Sequence, residues 1–139
     1  MKELIKKYEG LRLKAYLCPA GIPTIGYGTT YYPNGKQVSV GDIITQEEAE
    51  RYLDIYLQKE VWSVFHRIKY ELTDGQKMAI ASLVYNVGRS AFLSSKLFIA
   101  INRKDLYGIF KEWDFGVKSR LKGLVKRRAE ELYLFTKDL

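Results

Sequence analysis

The feature that most constrains the fold is a change of hydrophobic pattern at Thr45. Before it, from Lys14 to Val40, apolar residues come in short runs that glycines and prolines interrupt. After it, apolar residues recur at every third or fourth position as far as Ile68, as they do along one face of a helix. The pattern predicts a small antiparallel sheet of short strands, followed by a long helix that covers about residues 46–67.

Local signals place the turns and the helix ends. TQEE at 45–48 matches a capping box that starts the long helix, and TDGQ at 73–76 opens a second helix that Gly88 ends. Residues 2–8 have helical spacing and Gly10 follows them, while PNGK at 33–36 predicts a tight turn between two extended arms. Shorter helices are predicted within 94–105 and 106–113, and an apolar stripe from Leu121 through Val125 and Ala129 to Phe135 predicts a C-terminal helix.

These elements predict an α+β, mostly helical chain. At 139 residues it is most simply a single domain over 1–139. We expect an N-terminal lobe at about 1–55, the connecting helix at about 46–67 and a helical C-terminal lobe at about 68–139. Two lobes create a cleft, which is a favoured place for a binding site.

The charge balance limits the partners without choosing among them. The chain carries 23 basic and 16 acidic residues, a net charge of +7, which favours nucleic acid, an anionic membrane face or an acidic wall polymer.

Cys18 is the single cysteine, so no disulfide forms within the chain. No cluster has metal-ligand spacing, so we expect no metal and no cofactor. The first residues lack the apolar core of a signal peptide, which predicts a protein made in the cytoplasm.

Three residues near the N-terminus could carry chemistry. Glu9 precedes a turn-rich region that could fold over it, and burial raises the pKa of a carboxyl group as a general acid requires. An exposed carboxylate is nevertheless the commoner case. Thr24 also suits a plain strand, and a lone cysteine such as Cys18 is often a small buried hydrophobe.

A longer segment resolves these alternatives by resemblance. YEGLRLKAYLCPAGIPTIGYG, residues 8–28, resembles the catalytic segment of phage-type lysozymes (endolysins) of glycoside hydrolase family 24. LVYNVG at 83–88 and AFLSSKL at 91–97 are similar to the central C-lobe helix of that family and its successor. EWDF at 112–115 and GLVKRRAEELYLF at 123–135 are similar to the closing segment. The resemblance therefore spans nearly the whole chain in order.

The resemblance implies a lysozyme-like two-lobe fold and a bacteriolytic muramidase of a phage or prophage. Such an enzyme hydrolyses the β-1,4 bond between N-acetylmuramic acid and N-acetylglucosamine in peptidoglycan, with inversion. Glu9 matches the general acid, and Thr24 matches the residue that holds the attacking water. Cys18 occupies a position where most relatives have an aspartate, which acts as a base or an electrostatic partner.

Further residues are implied to contact substrate. Asn86 matches a polar residue that lines the cleft, and Tyr27 belongs to the N-terminal motif. Arg127 is the basic residue that we assign to the cleft, with Arg128 as the alternative. An exposed basic helix face is an equally good interpretation of both arginines.

The cysteine raises a question that sequence leaves open. An unperturbed thiol has a pKa of about 8.5, so only a few per cent is thiolate at pH 7. A lowered pKa would place a negative charge near the oxocarbenium-like transition state. An unperturbed or raised pKa would leave a neutral group, and Thr24 would then carry more of the task.

The resemblance also implies the partners. We expect a monomer that acts on bacterial peptidoglycan, binds no nucleic acid, does not insert stably into a membrane and depends on a holin for release. It would stay in the host cytoplasm until it reaches the wall or periplasm at lysis. Two alternatives remain. One is a non-catalytic peptidoglycan-binding protein that keeps the fold, and the other is a basic nucleic-acid module suggested by KSRLKGLVKRR at 118–128.

Overall fold

The computed structural model describes residues 1–113 and 122–139. Their contacts divide the chain into two compact units. The N-terminal unit is Ile5–Lys59, and the helical unit combines Met1–Leu4 with Glu60–Leu139. Leu121, the end of EWDF and the start of KSRLKGLVKRR lie outside the described residues.

Helices dominate the described chain, as predicted. They are α1 (Glu3–Glu9), α2 (Gln46–Tyr56), a π-helical turn (Leu57–Val61), α3 (Trp62–Phe65), α4 (Asp74–Val87), α5 (Arg89–Leu93), α6 (Lys96–Arg103), α7 (Leu106–Glu112) and α8 (Lys122–Thr136). Within the described ranges, none of these helices is both long and apolar enough to cross a bilayer.

The sheet of the N-terminal unit is smaller than the pattern suggests. It consists of two antiparallel strands, β1 (Arg12–Leu17) and β2 (Pro23–Gly26), with Tyr16 paired with Thr24. The remaining extended segments form only isolated bridges, such as Lys14–Ile43 and Tyr31–Gln37. Prolines and turn-forming glycines interrupt the segments before a longer ladder can form, because proline has no N–H to donate.

The predicted turn at 33–36 is present. The N–H of Tyr32 donates to the carbonyl of Lys36 at 2.9 Å, and the N–H of Gly35 donates back to Tyr32 at 2.9 Å. Gly35 has φ of +85°, which a residue with a Cβ rarely adopts. The segments on either side of the turn pair through one isolated bridge, Tyr31–Gln37, and do not form two strands.

The long helix begins as predicted and contains an irregularity. The Thr45 side chain accepts the N–H of Glu48 at 3.1 Å, while the N–H of Thr45 donates to the Glu48 carboxylate at 3.0 Å. Helical structure then continues from Gln46 to Phe65, but the turn Leu57–Val61 is π-helical. The hydrophobic period alone did not indicate this wider turn.

The helical unit is organised around α4, which packs chiefly against α8. Thr73 caps α4 through a second capping box, with Gln76 as its partner. At its other end the helix stops where Gly88 adopts φ of +95°, as the sequence predicts.

The buried face of α8 differs from the predicted apolar stripe. Val125 and Ala129 are exposed, whereas Arg127, Arg128 and Glu131 are buried. The prediction was wrong at Val125 and Ala129 because it assumed that charged residues face solvent. Here both arginines form ion pairs with Glu131. These pairs offset only part of the cost of removing the charges from water, since burial still raises the pKa of the Glu131 carboxyl group.

Candidate active site

Glu9 is the last residue of α1 and lies half-buried in the N-terminal unit. The helix ends there because Gly10 turns the chain with φ of +70°, while its N–H still donates to the carbonyl of Lys6 at 3.0 Å. The chain then enters β1 directly. Glu9 therefore lies just before β1, and its carboxylate acts on the pKa of the Tyr16 phenol in that strand.

Cys18 and Thr24 lie at the end of the β1–β2 hairpin. The N–H of Cys18 donates to the carbonyl of Ile22 at 3.0 Å, and the N–H of Gly21 donates to the carbonyl of Cys18 at 2.8 Å. These bonds close the turn between the strands. Thr24 is only 5% exposed, and its hydroxyl donates to the Ile22 carbonyl at 2.9 Å.

The turn is built to favour the thiolate of Cys18. The backbone N–H of Ile22 contributes most to lowering the pKa of the thiol, with help from the N–H of Ala20 and the hydroxyl of Thr24. Partial burial opposes them without reversing the direction. N–H groups that point at a sulfur stabilise its charged form. Of the two possibilities that sequence left open, the structure supports the lowered pKa.

Tyr16 joins these groups and was missed by sequence reasoning. Burial raises the pKa of its phenol, and the carboxylate of Glu9 and the sulfur of Cys18 add to that shift. The guanidinium carbon of Arg12 lies 4.6 Å from the centre of the Tyr16 ring and opposes the shift. Strand alternation could not have indicated this grouping, because β1 is irregular between Arg12 and Tyr16 and Cys18 lies beyond the end of the strand.

Tyr27 occupies a more interior position than a substrate-contacting residue usually does. Its side chain is 5% exposed, and its hydroxyl donates to the Glu50 carboxylate at 3.3 Å. Glu50 also forms an ion pair with Lys6, whose ammonium lies 5.4 Å from the Tyr27 ring centre. These contacts tie α1 to α2 within the N-terminal unit. The substrate contact assigned to Tyr27 stays a prediction.

In the helical unit, Asn86 and the two arginines form a connected polar group. Arg128 donates to the side-chain oxygen of Asn86 at 2.9 Å and lies 3.0 Å from the Glu131 carboxylate. Arg127 donates to the hydroxyl and the carbonyl of Ser82 at 3.1 and 3.0 Å. Both arginines are 3% exposed, so each is held by the protein interior.

Glu131 is the centre of this group. Its side chain is fully buried and also accepts from the Ser82 hydroxyl and, at 3.3 Å, from the indole N–H of Trp113. We refer to Ser82, Trp113, Arg127, Arg128 and Glu131 as the buried charge cluster. Sequence reasoning had Arg127 and Arg128 as candidates for the cleft but did not identify Glu131, although its spacing from them is that of neighbours on a helix.

The described residues contain no group of three or more His, Cys, Asp or Glu side chains that could hold a metal ion. The candidate catalytic groups of the N-terminal unit are the Glu9 carboxyl group, the Cys18 thiol and the Thr24 hydroxyl group. That donor set suits proton transfer and the positioning of a water molecule.

The family model for phage lysozyme matches residues 6–131. The chain belongs to the phage lysozyme family. An endolysin of Acyrthosiphon pisum secondary endosymbiont phage 1 is 43% identical, over 95% of this chain and 92% of that protein. An endolysin of Bacillus phage PZA is 40% identical over 95% of this chain but only 52% of its own length, so this chain spans about half of that relative.

Solved structures agree with the sequence relatives. An endolysin from Escherichia coli O157:H7 phage FAHEc1 superposes with a TM-score of 0.86 and 35% identity, covering 99% of this chain and 90% of the other. The predicted lysozyme-like fold is confirmed, and so is the predicted class, a phage lysozyme and hence a glycosidase.

Proposed function

We propose that this phage lysozyme is an endolysin that hydrolyses the β-1,4 bond between N-acetylmuramic acid and N-acetylglucosamine, with Glu9, Cys18 and Thr24 as its catalytic residues. The observation that supports this assignment is the arrangement of the hairpin. The Thr24 hydroxyl donates to the carbonyl of Ile22 at 2.9 Å, and the N–H of Ile22 belongs to the same turn and lowers the pKa of the Cys18 thiol.

Each residue takes one part of the reaction. Glu9 donates its proton to the glycosidic oxygen as the bond to the anomeric carbon breaks. The attacking water is held by Thr24, and its proton passes to the Cys18 thiolate as the new carbon–oxygen bond forms. The thiolate also places a negative charge near the oxocarbenium-like transition state. Tyr16 borders both Glu9 and Cys18 and acts as a positioning residue.

We infer the substrate-binding residues from the contacts in the helical unit. Arg128 holds the oxygen of Asn86, which directs the Asn86 amide N–H groups toward a saccharide acceptor. We propose that Arg128 acts through Asn86 in this way. Arg127 would have to give up contacts with Ser82 to reach a saccharide, so its predicted substrate contact is the less supported of the two.

The decisive experiment compares cell-wall hydrolysis by the wild type and Glu9→Gln. We expect Glu9→Gln to lose roughly 100-fold or more of the rate, since general acid catalysis commonly contributes 10²–10⁴. Mass analysis of the released fragments should show reducing N-acetylmuramic acid ends. Equal clearing of wall suspensions by both proteins would rule out Glu9 as the acid. Saccharide binding without fragment release would favour the non-catalytic alternative.

The thiol needs its own pair of variants. Cys18→Asp should keep or raise activity because it restores a carboxylate, whereas Cys18→Ala should lower it. A thiol-blocking reagent should slow the wild type and leave Cys18→Asp unaffected. If Cys18→Ala and the blocked wild type both keep the full rate, the thiol takes no part in the reaction.

The route to the wall is a separate part of the proposal. We infer that the protein acts as a monomer and remains in the host cytoplasm until a holin permeabilises the membrane. Expression in a bacterium with and without a holin tests this point. Lysis only when the holin is present is expected, and lysis by the protein alone would show that it crosses the membrane by another route.

A further inference from the structure

The outer faces of α6 and α7 carry apolar and basic side chains together. A groove of about 210 Å³ between the two helices is lined by Lys96, Ile99, Arg103, Tyr107 and Lys111, among others. Lys96, Ile99 and Arg103 form one row along α6, at spacings of three and four residues. Tyr107 and Lys111 are four residues apart on α7, and the Lys111 ammonium lies 6.0 Å from the Tyr107 ring centre.

A second groove of about 510 Å³ adjoins the first. Ile99 and Arg103 line both grooves, and the second also has Phe98, Arg67 and Lys69 in its wall. Among the residues that the structure describes, no acidic side chain lines this second groove. The Asn102 side chain fixes it, since its oxygen accepts the N–H of Lys69 at 2.8 Å and its amide donates to the Arg67 carbonyl at 3.0 Å.

The apolar side chains of this surface are not buried by the described residues. Tyr107 is 76% exposed, and Ile99, Phe110 and Leu106 are also exposed. The opposite face of α6 is buried, so the helix already has the packing that its fold needs. We refer to the two grooves with Leu106 and Phe110 as the basic–apolar surface. Ile99 and Tyr107 line the same groove, and exposed apolar groups that adjoin in this way usually mark a contact with a partner or a membrane.

The charges of the surface point to an anionic partner. Cationic side chains surround the exposed apolar groups: Arg67, Lys69, Lys96, Arg103 and Lys111. The two acidic residues of the smaller groove are Asp105 and Glu112. Asp105 is already occupied as the N-cap of α7, where it accepts the N–H of Gly108 at 3.1 Å. A purely polar polyanion would interact with the basic side chains only. Its binding would not account for the exposed apolar side chains of Ile99 and Tyr107.

We propose that the basic–apolar surface docks this endolysin onto a membrane of anionic phospholipids. The lysines and arginines bind the phosphate headgroups, while Ile99, Leu106, Tyr107 and Phe110 enter the interfacial layer. Contact of this type is shallow and reversible, since helices that lie in an interface bury one face only. The proposal does not depend on which residues hydrolyse the wall.

Vesicle flotation tests the surface directly. Wild-type protein is mixed with vesicles of phosphatidylglycerol and phosphatidylcholine, or of phosphatidylcholine alone, at low salt. We expect binding to the anionic vesicles only, with a loss as salt rises. Arg103→Glu should weaken binding about fivefold or more, because each juxtamembrane cation contributes appreciably to the attraction. Ile99→Ser should weaken it about threefold or more by removing apolar contact.

Matched controls separate this surface from the net charge of the protein. Lys59→Glu changes charge equally at an exposed residue of the N-terminal unit, and it should bind nearly as the wild type does. Tyr107→Trp should show a blue shift of tryptophan emission when anionic vesicles are added. Hydrolysis of isolated walls by each variant, which we expect to be unchanged, reports that it is folded.

Three results would overturn the proposal. The first is equal binding to phosphatidylcholine alone, and the second is equal weakening by Lys59→Glu and Arg103→Glu. The third is full binding by Ile99→Ser together with complete competition by soluble polyphosphate, which would identify a polyanion site and not a lipid surface.

Discussion

The N-terminal unit and the helical unit hold their polar groups in different ways. In the N-terminal unit, backbone N–H and carbonyl groups of a five-residue turn, Cys18 to Ile22, set the environment of the thiol. In the helical unit, the buried charge cluster holds Arg127 and Arg128 through Glu131 on the same helix and through Ser82 on α4. The first arrangement is local and the second is tertiary. Substitutions should therefore affect turn geometry in one unit and global stability in the other.

The largest expected loss of unfolding free energy is that of Glu131→Gln. The variant keeps the shape of the side chain but leaves two buried arginines without their shared carboxylate. Breaking a buried ion pair by removing one partner costs about 3–5 kcal/mol of unfolding free energy. Urea denaturation followed by circular dichroism measures it. Glu71→Gln, at an exposed position, is the control and should change stability little.

A Glu131→Gln protein as stable as the wild type would contradict the idea that the cluster holds the helical unit together. Binding of a saccharide by a folded Glu131→Gln variant gives a further readout. If Arg128 positions Asn86, affinity should fall even where the protein remains folded.

A smaller effect is expected from Gly26→Ala, which tests the backbone geometry of the N-terminal unit. Gly26 has φ of +64°, and an added Cβ would lie 3.3 Å from the Cβ of Ala49. We expect a loss of about 1–3 kcal/mol, from backbone strain and crowding together. Gly35→Ala is the matched control, because Gly35 also has positive φ but no atom within 4 Å of the added Cβ. Equal losses from both would show that crowding against α2 contributes nothing.

The two capping boxes allow the same change in each unit. Thr45→Ala and Thr73→Ala should each cost about 1 kcal/mol, as the loss of an N-cap usually does. Thr73→Ala should cost more, because the Thr73 hydroxyl donates to the distant Asp138 at 2.8 Å, whereas the Thr45 hydroxyl donates within its own capping box, to Glu48 at 3.2 Å. Thermal denaturation compares them, with Thr→Ser at each position as the variant that keeps the hydroxyl. A larger loss from Thr45→Ala would contradict this order.

The smallest effect is a shift in the pH dependence of Cys18 alkylation. The thiolate is the reactive form, and the turn lowers its pKa, so iodoacetamide should react with a midpoint below that of an unstructured cysteine peptide. Because folding lowers the pKa of Cys18, the contacts that favour the thiolate stabilise the folded protein at high pH. This contribution to the unfolding free energy is lost as the pH falls through the lowered pKa. Thr24→Val should move the midpoint back toward the peptide value. A wild-type midpoint above the peptide would overturn the assignment.

Sequence reasoning predicted those elements that depend on local signals. Both Thr-initiated helix starts and the glycine stops at Gly10 and Gly88 are where the sequence placed them, because caps and positive φ need specific residue types. The catalytic roles that the N-terminal motif assigns to Cys18 and Thr24 stay predictions.

Features that depend on tertiary context were not predictable. The burial of Arg127, Arg128 and Glu131 depends on Ser82 and Trp113, which lie elsewhere in the chain. The π-helical turn at Leu57–Val61 leaves the apolar spacing nearly unchanged, so periodicity could not reveal it. Tyr16 was overlooked because tyrosine is common in strands. Its link to the candidate site is visible only from its neighbours in the structure, Glu9 and Cys18.

The turn that lowers the pKa of Cys18 also determines how the site can be damaged. A thiolate is the form that peroxides attack, and it is converted in steps to sulfenic, sulfinic and sulfonic acids. An aspartate at the same position has no such chemistry. On the proposed catalytic role of Cys18, the activity of this chain depends on the redox state of its surroundings, and an early oxidation product should be recoverable with a reductant while the later ones are not.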